Sequence, residues 1–159
     1  MSLAVCVLIT WIVFIIFSLI PKKLSELDMI FLYFVNTIFE LSIFTILHVN
    51  LNWIVVSHSV EKALADLVLR LFMIPFIFII TSNILLYSWK FLKWITVCAI
   101  ILSFLLMGHL IERLGIITTN HWNYVYNVLL FSSYAAFSRI MAWVIVQVDR
   151  KEVKKIDHL

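Results

Sequence analysis

Five apolar runs follow one another along this chain, at about 2–20, 29–48, 63–88, 95–114 and 124–148. A hydrocarbon core about 30 Å thick takes roughly 20 apolar residues in a helix that rises about 1.5 Å per residue, so each run is long enough to cross it. Inside a bilayer no water satisfies the peptide groups, and runs of this length therefore predict helices. Hydrophobic residues make up 64% of the 159 and charged residues 13%, with a mean hydropathy of +1.10. Soluble domains average about 45–50% and 25%. The expected fold is an all-α integral membrane bundle of five transmembrane helices, forming one domain over 1–148, with a charged tail at 149–159.

Composition also removes classes of function. With two Gly and two Pro, the chain lacks the Gly-rich loops that cradle nucleotide phosphates. The net charge of +3 comes from Lys and Arg at the ends of the apolar runs. That is the pattern of membrane orientation, and no nucleic-acid partner is expected. The first run follows no positive charge and carries no small-x-small cleavage pattern, unlike a cleaved signal peptide. Cys6 and Cys98 fall in different runs near opposite faces, too far apart to bridge, and both are expected to be buried thiols.

Counting cations on alternate sides sets the orientation. One side carries Lys22, Lys23, Lys90, Lys93, Arg150, Lys151, Lys154 and Lys155, and the other only Lys62 and Arg113. Positive charge is retained in the cytoplasm, which predicts the N-terminus outside and the C-terminus inside. Dropping any one span after the first would mix the two sets.

Polar residues inside the runs mark the interior. Asn36 and Glu40, spaced i,i+4, project from one face of the second span with Tyr33 and Ile43 or Phe44. The third contains Asp66, Arg70 and Pro75, and a proline there kinks the helix unless neighbours satisfy the carbonyl it frees. By the helical rise, Glu40 and Arg70 lie at matching depth, roughly 10–12 Å below the outer boundary. A lone charge at that depth costs roughly 2.5–3.5 kcal/mol, so the two are expected to pair. Asp66 and His109 match about one turn in, with His48, Glu112 and Arg113 nearer the surface. Arg139 is expected to compete for Glu40 or to bond Asn36, on a face made small by Ser132, Ala135 and Ala136. Gly115 can end the fourth span.

Three uses of these groups follow from their chemistry. Buried ion pairs can simply hold helices in register. They can instead line an outward-facing polar pocket of Glu40, Asp66, Arg70, His109, Glu112 and Arg113. Within it His109 and Glu112 share a face, and Asp66 and His48 could complete a set of ligands for zinc, manganese or iron. Alternatively, the titratable groups form a ladder for protons or solutes, extended inward by Asn36, Asn83, Ser138 and Arg139. No catalytic residue is assigned, because Ser57, His58 and Ser59 lie in a loop without strand-turn-helix context.

The stretch from His109 to Asn127 is the longest central interval rich in hydrogen-bonding side chains, and it is expected at the mouth of the bundle. Within it Asn120, His121, Trp122 and Asn123 suit either an interfacial aromatic belt or recognition of a lipid headgroup, peptide or glycan, with Arg113 supplying charge. Asp66 followed nine residues later by Pro75, then Glu112 and Gly115, then Asn120-x-Trp122-Asn123, resembles a family of small uncharacterised multi-pass membrane proteins of spore-forming Gram-positive bacteria. A glycine often precedes the tryptophan in that family, where this chain has His121. The resemblance covers the latter two-thirds of the chain and implies a bacterial cytoplasmic membrane and a role for Asp66, Glu112 and Trp122. The expected function is a structural or binding component of a membrane assembly. The alternatives are a small transporter or proton pathway subunit, and a membrane-embedded metal-dependent enzyme. The expected partners are the lipid bilayer and either a second copy or another membrane protein.

The orientation has a direct check. With Cys6 and Cys98 replaced, Asn123→Cys should react in intact cells with a membrane-impermeant maleimide, and Lys22→Cys only after permeabilisation. The reverse pattern would invert the topology.

Overall fold

The computed structural model describes residues 1–86, 90–119 and 123–156. Its helices are α1 (Ser2–Leu19), α2 (Glu26–Thr45), α3 (Val60–Val68), α4 (Ile74–Leu85), α5 (Lys90–Arg113) and α6 (Tyr124–Ile156). A π-helical turn, Ile46–Asn50, extends α2, and another, Leu69–Met73, joins α3 to α4 as one continuous span. Five of the resulting helical stretches are long and apolar enough to cross a membrane: Ser2–Leu19, Glu26–Asn50, Val60–Leu85, Trp94–Arg113 and Val125–Val148.

Local chemistry explains where these elements begin and stop. Ser25 caps α2 by accepting the Asp28 amide at 3.2 Å, while the Asp28 carboxylate accepts the Ser25 amide at 3.1 Å. This reciprocal box satisfies two otherwise orphaned donors and starts α2 at Glu26, ahead of its first apolar residue. Glu61 ties α1 to α3 by accepting the Ser2 hydroxyl at 3.1 Å and the Leu3 amide at 3.3 Å. Gly115, at φ +62°, ends the fourth span in the left-handed conformation that glycine adopts without strain. The helix that carries the fifth span continues past Val148 to Ile156, because the tail lacks Gly and Pro and is rich in good helix formers.

Pro75 does not leave a broken helix. It cannot donate to the carbonyl of Leu71, one turn earlier, and that carbonyl accepts the Tyr33 hydroxyl from α2 at 2.9 Å. The π-helical turn falls just before the proline, where the ladder must change register.

The span formed by α3 and α4 is the most buried of the five, and α4 packs against α1, α2, α5 and α6. Phe78 of α4 is wedged between Phe104 and Tyr134, with ring centroids 5.4 Å apart in each case, and Phe104 stacks on Phe131 at 3.9 Å. Large apolar side chains such as Trp11, Ile15, Phe34, Leu106 and Trp143 remain exposed on the outer surface, as lipid-facing residues do.

Three sequence expectations are corrected. The bundle is not purely helical: β1 (Ile54–Val56) and β2 (Ile117–Thr119) pair antiparallel, with Ile54 opposite Thr119 and Val56 opposite Ile117. The Ser57 amide extends the ribbon by donating to the Ile116 carbonyl at 2.9 Å. Val, Ile and Thr suit strands, but three-residue strands separated by two whole spans leave little local signature. Cys98 is exposed on α5, whereas Cys6 is buried as expected. Ser132 and Ala136 are also exposed, because α6 presents Tyr134, Ser138 and Ala142 to the core instead.

Removing the Tyr33 hydroxyl isolates the role of the proline-freed carbonyl. Tyr33→Phe should lower unfolding stability in mixed micelles by about 1 kcal/mol while leaving the helical content intact. No loss would show that another group satisfies Leu71.

Candidate functional site

The site begins with Glu40, one turn beyond Asn36 on α2, and with the two ends of an i,i+4 pair on the third span, Asp66 and Arg70. Arg70 donates through Nη1 to Glu40 Oε1 at 2.6 Å and through Nε to Asp66 Oδ2 at 2.8 Å. All three side chains are nearly sealed from solvent, at 12%, 2% and 8% exposure respectively. The guanidinium also lies 3.4 Å from the centre of the Phe44 ring, so a π-face covers the cation that the carboxylates do not surround. His48 stacks parallel to Phe44 at 5.2 Å, and its Nδ1 bonds the Ile54 carbonyl of β1 at 2.7 Å. A continuous line of contact thus runs from the ribbon through His48 and Phe44 to the ion triad.

Two carboxylates facing one guanidinium do not balance. Arg70 supplies one positive charge and the fully ionised triad carries one negative charge in excess. Glu40 exposes the consequence, because its second carboxylate oxygen is buried and makes no hydrogen bond among the described residues. Such an atom needs a proton or a partner, since an unpaired buried charge is among the costliest features a fold can hold.

Glu40, Asp66 and Arg70 line a partly open cavity of about 100 Å³. Its walls are largely apolar, from Leu47 and Phe44 of the second span to Phe104 and Met107 of α5 and Leu130, Phe131 and Tyr134 of α6. The ribbon residues Ile54, Ile117 and Thr119 also line the cavity, as do Glu112 and Asn127. Glu112 accepts the Thr119 hydroxyl at 2.6 Å.

Below the triad the interior stays polar but becomes solid. Asn36 Nδ2 donates to Ser138 Oγ at 3.1 Å, and Ser138 lies 2.7 Å from Ser82 Oγ. Ser82 and Ser138 are completely buried. At the far end of α4, Asn83 accepts the Lys23 amide at 2.7 Å and donates to the Pro21 carbonyl at 2.8 Å, anchoring the link between the first two spans.

The sequence-derived candidates are therefore only partly brought together. The Glu40–Arg70 pair is made, and Asp66 joins it rather than pairing with His109. His109 is exposed, as is Arg113, and His109 is absent from the cavity wall because depth along a helix does not specify which way it faces. Glu112 is exposed but borders the cavity beside Thr119. Arg139 does not bond Glu40 or Asn36. Asn36 uses Ser138, and one terminal nitrogen of Arg139 is buried without a hydrogen-bond partner among the described residues. His48, Asp66, His109 and Glu112 do not assemble as metal ligands. Among the described residues no three His, Cys, Asp or Glu side chains converge on one point, since His48 is held by β1, Asp66 by Arg70 and Glu112 by Thr119. Asn123 is exposed, and Asn120, His121 and Trp122 lie outside the described residues.

Sequence reasoning missed two features that had signals. The i,i+4 spacing of Asp66 and Arg70 is a standard helical ion-pair register. Phe44, one turn beyond Glu40 on the same face, was in reach of the same cation.

Charge accounting separates the roles within the triad. Arg70→Met leaves two carboxylates uncompensated and should destabilise the protein by at least about 3 kcal/mol. Glu40→Gln keeps an oxygen for Arg70 and leaves one acid facing one base, so it should cost about 1 kcal/mol or less. Unfolding titrations in which Glu40→Gln is the more damaging change would reverse this assignment. Compared with known proteins, the chain matches no family model, no curated protein and no solved structure, so the reading of this site rests on its geometry.

Proposed function

We propose that this chain is a binding component of a bacterial cytoplasmic membrane assembly, oriented with its N-terminus outside, and that the cavity beneath the ribbon is its outward-facing ligand pocket. The observation that carries the proposal is that a buried triad with one carboxylate in excess, one Glu40 oxygen of which has no partner among the described residues, lines a mostly apolar, partly open cavity. A triad serving only to lock helices would gain from equal charge, and the three members of this one leave a negative charge uncompensated. Small-molecule sites have this composition, an apolar enclosure with few convergent polar groups. The charge distribution of the loops supports the orientation, and the resemblance of Asp66, Pro75, Glu112 and the Asn120-x-Trp122-Asn123 turn to a family of small membrane proteins supports the bacterial setting. The lipid bilayer surrounds the exposed apolar faces, and a second copy or another membrane protein completes the assembly.

A proton or solute pathway is the second reading, favoured by the polar layer of Asn36, Ser82 and Ser138 below the triad. Full burial of both serines makes that layer a packed floor, which suits a pocket open to one side better than a conduit.

Access decides between them. Gly108 lies on the cavity wall, and a Cβ added there meets its nearest neighbour, Asn127 Nδ2, at an ordinary 3.6 Å. In a background without Cys6 and Cys98, Gly108→Cys should react with a membrane-impermeant thiol reagent applied outside and not with the same reagent applied inside. Failure to react from outside would overturn the pocket, and reaction from both sides would favour the pathway.

A further inference from the structure

The pocket's chemistry narrows what it can hold. Four properties act together: the charge left over at the triad, the single carboxylate oxygen that is free, the aromatic walls, and the size of the space. Glu40 and Asp66 outnumber Arg70 by one negative charge, so the occupant of the free oxygen is a cation or a proton. Anionic ligands would add a second uncompensated charge in a setting where one already costs several kcal/mol.

Among cations the coordination requirement discriminates. Zinc takes about four ligands, and calcium and magnesium about six or more oxygens. Here Asp66 is bonded to Arg70, Glu112 is bonded to Thr119, and no three acidic, histidine or cysteine side chains converge among the described residues. An ammonium group asks for less. It needs no fixed coordination sphere, and one strong acceptor with an aromatic wall meets most of its demand; Phe131 and Tyr134 line the same space as Glu40. Phe44 is already engaged by Arg70, which lies 3.4 Å from its ring centre.

Size sets the rest. An engineered apolar cavity of about 150 Å³ takes up benzene, a molecule of six heavy atoms. The present cavity of about 100 Å³ therefore suits a slightly smaller guest. Apolar walls favour a hydrocarbon body over a polyhydroxylated one, because each unpaired hydroxyl buried there would cost about 1–3 kcal/mol.

We propose that the pocket binds a small alkylammonium cation, with its charged nitrogen on the free Glu40 oxygen and its hydrocarbon body against Phe104, Phe131 and Met107. The inference rests on the pocket reading above and adds the class of ligand. Binding completes the charge balance of the triad, with Arg70 keeping its bonds to both acids. The His48–Ile54 hydrogen bond places the ribbon in direct contact with the stack that covers Arg70, so entry of a ligand is coupled to the roof of the site.

The probe is n-butylammonium, tested on the full chain in nanodiscs against 1-butanol, which has the same heavy-atom count and no charge, and against butyrate. Saturating n-butylammonium should slow outside modification of Gly108→Cys at least tenfold and raise the unfolding temperature, whereas butanol and butyrate do neither. Glu40→Gln should abolish the temperature shift. Gly108→Leu leaves the triad intact and fills part of the cavity, so it should abolish the shift even if Glu40→Gln fails to fold. Protection by butanol equal to that by the amine, protection by butyrate, or no protection at a position 108 that does react from outside would overturn the ligand class while leaving the pocket standing. A temperature shift that survives in Gly108→Leu would place amine binding elsewhere and overturn the proposal. Absence of any outside reaction at position 108 overturns the pocket and this proposal with it.

Discussion

A guanidinium embedded among apolar helices is tolerable only where acids meet it, and the rest of this fold is arranged around the way Arg70 meets two. One acid comes from its own helix, a turn earlier, and the other from α2. Both bonds use different nitrogens of the planar fork, which fixes the azimuth of the third span as well as its height against α2. The proline that would otherwise weaken this span sits just beyond the triad. Its freed carbonyl is satisfied by Tyr33, from the same helix that supplies Glu40. The charge pair and the proline repair therefore draw α2 and the third span together at neighbouring levels.

The remaining interhelical hydrogen bonds continue the same device with weaker groups. In a bilayer the apolar surface of a helix gains little by leaving lipid for another helix, so packing detail and polar contacts decide which faces meet. Here Asn36, Ser82 and Ser138 join α2, α4 and α6 at one level, and Asn83 fixes the link between the first two spans at another. Aromatic rings fill the space between, with Phe78 touching both Phe104 and Tyr134. The α4 segment is central because it carries small hydroxyl residues that admit close neighbours and a phenylalanine that fills the gap beside them.

How much of this could be read from the residues follows from which quantities sequence encodes. Run length fixes the number of crossings, and position along a run fixes depth, so the five spans and the Glu40–Arg70 pair were legible. Azimuth was not. The α5 helix is apolar nearly all round and gives no sign of which side faces inward, so the depth His109 shares with Asp66 did not show that His109 is exposed. Similarly, Ser132, Ala135 and Ala136 look like a packing stripe, but α6 is rotated to engage Asn36 through Ser138. The ribbon was illegible for another reason. Its two strands have three residues each and become visible only once two distant loops stand on the same end of the bundle.

That ribbon also bears on why the triad is unbalanced. Loops that merely connect helices at a membrane surface need no mutual register, yet these two are paired residue for residue over the cavity and are braced to the second span through His48. The triad itself is nearly sealed from solvent, and electrostatic interactions strengthen where water is excluded. In such a place an extra carboxylate with no partner is costly in the resting fold and effective toward a matching cation. Glu40 thus has two oxygens with different surroundings: one is held by Arg70 and joins the second span to the third, and the other is buried without a partner among the described residues.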